Sequence, residues 1–376
     1  MDAQRSEYLC GVKRLVVKIG SSLIASRDHG LNHALLEALA QEMADLKRQG
    51  YEIVIVSSGA ILSGLEKLGI KLRPKNLPVK QAAAAVGQSR LIWAYEKAFE
   101  AQGLKVAQVL LTQDDLADRK RFLNSRNTLT TLLALNVIPV VNENDTVVVE
   151  EIRFGDNDNL AGLVTHLIDA QLLVILSDVE GLFTDDPRRH PDAVLIPVVA
   201  RINAETERLA KDTATPEGTG GMRSKVLAAR RVAGYGVPTV VAGGRRAGVL
   251  SEILKGDTVG TLFLPESGKR NSRKQWIAFT SRTQGRLWLD AGAVEALAMK
   301  GKSLLPSGIV RVEGRFEAGD AVSCMDPHGR EAAKGLVNYS SDDLAKIRGA
   351  KTAEIAGILG TKDYDEAIHR DNLVIL

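Results

Sequence analysis

Short apolar runs recur along the first two-thirds of this 376-residue chain, and most of them stop at glycine, serine or an acid. Leu15–Ile19 ends in Gly20-Ser21-Ser22, Ile53–Val56 in Ser57-Ser58-Gly59, Val137–Val141 in Asn142-Glu143-Asn144-Asp145, and Leu172–Leu176 in Ser177-Asp178. Val106–Leu111 and Pro238–Ala242 add two more runs. Continuous apolar strands are expected where helices cover both faces of a sheet. Segments with helical periodicity lie between them: Leu31–Gln49, Ala60–Leu68, Lys80–Gln102, Arg121–Leu135, one ending near Ile168, and one over 222–235. Strands alternating with helices predict an α/β fold, a three-layer αβα domain with a mainly parallel central sheet. Ligands of such sheets bind beyond the carboxyl ends of the strands. The polar residues that stop the runs occupy that edge.

A basic, polar stretch interrupts this pattern, so residues 1–266, 267–275 and 276–376 read as an α/β domain, a linker and a small, mostly β domain. The last part has short strands and glycine turns at Gly285–Asp290, Gly308–Gly314 and Gly319–Val322, with one helix at Ala291–Lys300. The chain carries a net charge of +3. From Lys269 onward there are 17 Lys+Arg against 14 Asp+Glu, and four of the 17 (Lys269, Arg270, Arg273, Lys274) lie in the linker. No domain is broadly basic, which speaks against strong electrostatic binding of nucleic acid. Aromatic residues make up 4%, too few for binding dominated by base stacking. Cys10 and Cys324 suggest no disulfide framework or metal-ligand set. Without a signal-peptide pattern or a membrane-length apolar run, the chain is expected to be soluble and cytoplasmic.

Ten of the eighteen residues from Asn142 to Asn159 are acids or amides, in two clusters, Asn142–Asp145 and Asp156–Asn159. The apolar alternation between them reads as a hairpin with Glu150-Glu151 at its tip, which would set the clusters side by side. Asn and Asp also make turns, and spacing alone leaves both readings open. Thr219-Gly220-Gly221-Met222-Arg223-Ser224-Lys225 opens a helix, and glycine N–H groups at a helix N-terminus suit an anion. It is not a Walker A loop. Lys18 stands in an otherwise apolar strand beside Gly20-Ser21, where it either meets a phosphate or reaches out to solvent. A carboxylate such as Asp158 would keep two phosphate-facing lysines charged and oriented, although it could also cap a helix starting near Asn159. Two lysines, glycine donors and no obvious general base fit phosphoryl transfer to a nucleophile that is already anionic. Asp156-Asn157-Asp158 begins like a calcium loop, but Leu160 and Leu167 stand where oxygen ligands are needed. No Gly-x-Ser-x-Gly elbow and no His-Glu-x-x-His motif is present.

Taken together, Val17–Ser21, Ser57–Ala60, Val141–Asp145, Gly155–Leu160, Ser177–Leu182 and Gly218–Lys225 resemble the amino-acid kinase superfamily, and within it the family whose members phosphorylate glutamate. Ala85-Val86-Gly87-Gln88 and Ile368–Leu373 add to the likeness, and the C-terminal part resembles a PUA domain. The resemblance implies ATP-dependent phosphorylation of the γ-carboxylate of L-glutamate, the first step of proline synthesis. It implies that Lys18 and Lys225 grip the transferring phosphoryl group and that Asp158 organises them. Ser58, Gly59, Asn142, Asp145 and Asn157 would hold glutamate, Asp145 at its ammonium and the amides at its carboxylates. Lys18, Gly20, Ser21, Ser177, Asp178 and Thr219–Lys225 (Thr219, Gly220, Gly221, Met222, Arg223, Ser224, Lys225) would lie along ATP, with Mg²⁺ mainly on the phosphates and no protein metal site. Arg223 fills a variable position of the family motif. The resemblance further implies inhibition by proline, a homo-oligomer (dimer or tetramer), and a functional link to glutamate-5-semialdehyde dehydrogenase. Thr146–Phe154 becomes a candidate lid over glutamate. Two alternatives stay open: a kinase of N-acetylglutamate, aspartate or carbamate, and an RNA-binding or RNA-modification protein acting through the PUA-like part. Asp145 disfavours N-acetylglutamate, whose amine is blocked.

Overall fold

The computed structural model describes residues 3–26, 30–70, 74, 76–147, 157–210, 221–265, 283–362 and 364–376. The chain divides into two compact units, one reaching residue 269 and the other starting at 270. The 267–275 linker lies outside the described residues.

The first unit is built on strands β1 (Arg14–Ile19), β2 (Ala25–Ser26), β3 (Gly30–Leu31), β4 (Glu52–Val56), β5 (Lys105–Leu111), β6 (Val137–Glu143), β7 (Leu172–Ser177), β8 (Val198–Val199), β9 (Thr239–Gly243) and β10 (Thr261–Phe263). Strands β2 and β3 form a small separate ribbon, and the rest make one sheet in the order β5-β6-β4-β1-β7-β9-β10-β8. All its pairings are parallel except β9 with β10. This is the mainly parallel sheet that the apolar runs predict. Strands β1 and β7 lie at its centre and are buried along almost their whole length.

Alternation along β1 decides where its one charge goes. Leu15, Val17 and Ile19 face one layer and share a core with Leu36, Met43, Leu91 and Phe99 from the helices His33–Arg48 and Leu77–Glu100. Side chains of successive strand residues point to opposite faces. Lys18 therefore faces the other layer with Val16, toward the helix Asn157–Leu167, which packs on β1 and β7 and against the helix Met222–Gly234.

The helices Ala60–Lys67 and Leu77–Glu100 pack with backbone nearly touching backbone. A Cβ at Gly64 would lie 1.7 Å from the carbonyl oxygen of Ala83, and one at Gly87 would lie 1.8 Å from that of Ala60. Only glycine permits this approach, and it brings Gln88 beside the end of β4 and β6.

The second unit has a five-stranded sheet of β11 (Gly285–Leu289), β12 (Ile309–Gly314), β13 (Ala321–Met325), β14 (Glu331–Leu336) and β15 (Leu373–Ile375), in the order β12-β11-β13-β14-β15. Only β11 and β13 pair in parallel. The helix Ala291–Lys300 starts at Asp290, whose side chain accepts from the Ala293 N–H at 2.6 Å. The core of this unit includes Leu287, Leu297, Val322, Leu344 and Ile368.

Candidate active site

The strand order spreads the polar residues along one edge. From β6 through β4, β1 and β7 to β9, the carboxyl ends present Asn142 and Glu143, then Ser57–Gly59, then Lys18–Ser21, then Ser177-Asp178, then Gly243. Lys18 is the middle of the row. Its register partners are Val56 on β4 and Ile175 on β7.

Two helix N-termini converge beside Lys18. Asp158 sits in the first turn of Asn157–Leu167 and is wholly buried. Its Oδ1 lies 2.5 Å from Lys18 Nζ, and its Oδ2 lies 3.1 Å from Lys225 Nζ. Both lysines are 4% exposed. Ser224 Oγ is 2.7 Å from Asp158 Oδ2 and 2.8 Å from the Gly221 carbonyl oxygen, and its single proton serves one of the two at a time. Burial by itself raises the Asp158 carboxyl, but the charges of Lys18 and Lys225, with hydrogen bonds from Lys18 and Ser224, hold it well below the usual carboxylate range. The site thus carries two positive charges and one negative charge, all desolvated, with N–H groups of two helix starts nearby. The helix begins at Asn157, so Asp158 is not its cap; its side chain is committed to the lysines and Ser224.

On the β4–β6 side lies a chain of amides. Asn157 Nδ2 is 2.6 Å from the Ser57 carbonyl, 2.9 Å from Ser58 Oγ and 2.9 Å from Asn142 Oδ1. Asn142, 1% exposed, donates from Nδ2 to Gln88 Oε1 at 2.7 Å. Ser57 Oγ is 3.0 Å from the buried Tyr95 hydroxyl, which burial pushes up and keeps neutral. Gly59 starts the helix Ala60–Lys67 at φ +97°, a left-handed conformation that favours glycine. Asp145 follows β6 directly. Burial raises its carboxyl to about 6, and no cation or hydrogen-bond donor meets it among the described residues.

On the β7–β9 side, Ser177 is buried with its hydroxyl 3.1 Å from Asp178 Oδ1, while Asp178 is exposed. Gly20 donates to the Leu176 carbonyl at 3.0 Å, which ties the β1 turn, including Ser21, to the end of β7. Gly221 is the N-cap of Met222–Gly234 and offers no side chain to its first N–H groups. Met222 is half-buried and Arg223 points outward. Thr219, Gly220, Glu150, Glu151, Asp156 and most of the 146–154 hairpin lie outside the described residues.

No local sequence pattern gives Gln88, Ser57 or Tyr95 a role. Their partners are 54, 100 and 38 residues away, so spacing could not reveal them. The one available signal was Gly87, which allows the close helix approach beside Gln88.

The sequence pattern of the amino acid kinase family matches residues 13–243, and that of the PUA domain matches residues 285–359. The chain is 54% identical over 372 residues to glutamate 5-kinase of Citrifermentans bemidjiense, covering 99% of this chain and 100% of that one. It is 53% identical to glutamate 5-kinase of Geobacter sulfurreducens with the same coverage. It is 50% identical over 368 residues to the Moorella thermoacetica enzyme, covering 98% of this chain and 97% of that one.

Proposed function

Because the chain belongs to the amino acid kinase family, and within it to the glutamate 5-kinases, we propose that it transfers the γ-phosphoryl group of ATP to the γ-carboxylate of L-glutamate. The products are L-glutamyl 5-phosphate and ADP, and the reaction opens proline biosynthesis. The observation that carries this reading is the buried Lys18–Asp158–Lys225 array, set between an amide cleft, with Asp145 meeting no cation among the described residues, and a glycine-led helix start.

Glutamate lies on the β4–β6 side. Its ammonium meets Asp145, a half-buried carboxylate that no cation meets among the described residues. Ser58, Gly59, Asn142 and Asn157 form the walls around it. The side-chain carboxylate of free glutamate is ionised at neutral pH, so the attack needs no general base. That fits a site whose one fully buried acid already serves two lysines. ATP lies on the β7–β9 side, along Gly20, Ser21, Ser177, Asp178 and the segment 219–225.

Lys18 and Lys225 stabilise negative charge on the phosphoryl oxygens between donor and acceptor, and Asp158 holds their ammonium groups apart and aimed. The N–H groups of Gly221 and Met222 add fixed positive potential. Among the described residues, no group of His, Cys, Asp or Glu is arranged to hold a metal. Mg²⁺ bound to the ATP phosphates would offset part of their charge. Lys18 and Lys225 orient the phosphates.

Proline shares the charged ammonium and carboxylate of glutamate and competes for the same cleft. The active species is a homo-oligomer in the cytoplasm, and its reactive acyl phosphate passes to a glutamate-5-semialdehyde-forming reductase. A substrate panel tests the assignment. Glutamate should support Mg²⁺-dependent ADP release, with N-acetylglutamate, aspartate and carbamate near background. Release that is unaffected by Lys225→Ala, or highest with another acid, would overturn it.

A further inference from the structure

Two backbone groups settle the direction of the hydrogen bonds in the amide chain beside the acceptor cleft. The Glu143 N–H can only donate, and it lies 2.9 Å from one terminus of the Asn142 amide, so that terminus is Oδ1. The Ser57 carbonyl can only accept, and it lies 2.6 Å from one terminus of the Asn157 amide, so that terminus is Nδ2. Asn142 Oδ1 then accepts from Asn157 Nδ2 at 2.9 Å, and Asn142 Nδ2 must find its acceptor on the other side. It finds Gln88 Oε1 at 2.7 Å. Asn142 is 1% exposed, so its amide has little access to solvent and depends on an acceptor within the protein. Gln88 is held in reach by Gly87, where a Cβ would lie 1.8 Å from the Ala60 carbonyl oxygen.

We infer that Gln88 is a positioning residue for the acceptor site: its Oε1 locks the amide of Asn142, and through it the amide of Asn157. This rests on reading the cleft as the glutamate site. In the locked state Asn157 Nδ2 is surrounded by three acceptors and has no proton left for a ligand. The atom Asn157 keeps for the substrate is Oδ1, an acceptor suited to the ammonium. That reverses the division in which the amides serve only the carboxylates. Ser58 Oγ accepts from Asn157 and keeps its own proton to donate to a substrate carboxylate.

Gln88→Met keeps length and helix propensity but removes the acceptor. It should raise KM for glutamate about tenfold and leave kcat and KM for ATP within about twofold. Gln88→Glu, which keeps an acceptor oxygen, should recover part of that loss. Gln88→Lys offers only donors and reads the same loss if Gln88→Met does not fold. In an Asn142→Ala background the Gln88→Met effect should fall below about twofold, because the residue it acts through is gone. An equal cost in both backgrounds, or a matching rise in KM for ATP, would overturn the inference. A second readout needs no turnover. In the full chain without substrate, Gln88→Met should shift the side-chain ¹⁵N–H₂ signals of Asn142 and Asn157, identified by their loss in Asn142→Asp and Asn157→Asp. Unchanged signals would overturn it. A wild-type chain that releases no ADP with glutamate would instead refute the function, while the amide signals still decide the role of Gln88.

Discussion

Replacing Asp158 by Asn leaves two buried ammonium groups facing an uncharged amide. The carboxylate is fully buried and the lysines are 4% exposed, so solvent screens little of the change. Contacts of 2.5 and 3.1 Å to its two oxygens place the ammonium groups within about 8 Å of each other. At an effective dielectric near 20, their repulsion is roughly 2–3 kcal/mol. Removing one partner of a buried ion pair typically costs about 3–5 kcal/mol. Asp158→Asn should therefore lower the unfolding free energy by about 3–5 kcal/mol at pH 7 in a urea titration followed by circular dichroism. In the native chain the carboxyl titrates below its unfolded value, so its contribution is full above about pH 4 and fades as pH falls further. A deficit under about 1 kcal/mol at pH 7 would show that the carboxylate is not needed to hold the two ammonium groups.

Asp145→Asn should separate stability from binding. The carboxyl lies at about 6 when folded against 3.8 ordinarily, so ionising it costs up to about 3 kcal/mol above pH 6 and nothing below about pH 4. The empty variant should be the more stable protein at pH 7.5 by thermal unfolding, yet show a KM for glutamate raised about 10–100-fold. In the native enzyme, KM for glutamate should climb as pH falls through 6, and in Asp145→Asn that slope should vanish. Lys225→Ala should lower kcat by about 10²–10³ with a smaller change in KM for glutamate, measured by coupled ADP release. Gly87→Ala should lower stability by at least about 1–3 kcal/mol and raise KM for glutamate, since a Cβ forces apart the helices that carry Gln88 and follow Gly59.

The sheet was legible because its inner strands are buried on both faces, which leaves unbroken apolar runs. The strand reading of Val137–Val141 stops where polarity begins, but β6 continues through Asn142 and Glu143 because β5 pairs with both. Ladder hydrogen bonds do not depend on side-chain polarity, so a functional residue can sit inside a strand. In the second unit β14 carries no strand signal, since Glu331-Ala332-Ala333-Lys334-Gly335-Leu336 has little β-propensity and is held by pairing with β13 and β15. The phosphate side was readable through local signals, a lysine in an apolar strand and a glycine-led helix. Bringing Lys18, Asp158 and Lys225 to one point depends on strand facing and helix packing across more than 200 residues. The acceptor side was less readable, because its amide chain joins residues from three distant elements.

In the proposed reaction the γ-carboxylate of glutamate becomes an acyl phosphate. Hydroxylamine intercepts such a product as the hydroxamate. Pure protein with Mg²⁺, ATP, glutamate and hydroxylamine should yield γ-glutamyl hydroxamate in step with ADP, and Lys18→Ala and Lys225→Ala should abolish both together. ADP released without hydroxamate, or hydroxamate formed preferentially from aspartate or N-acetylglutamate, would contradict the account.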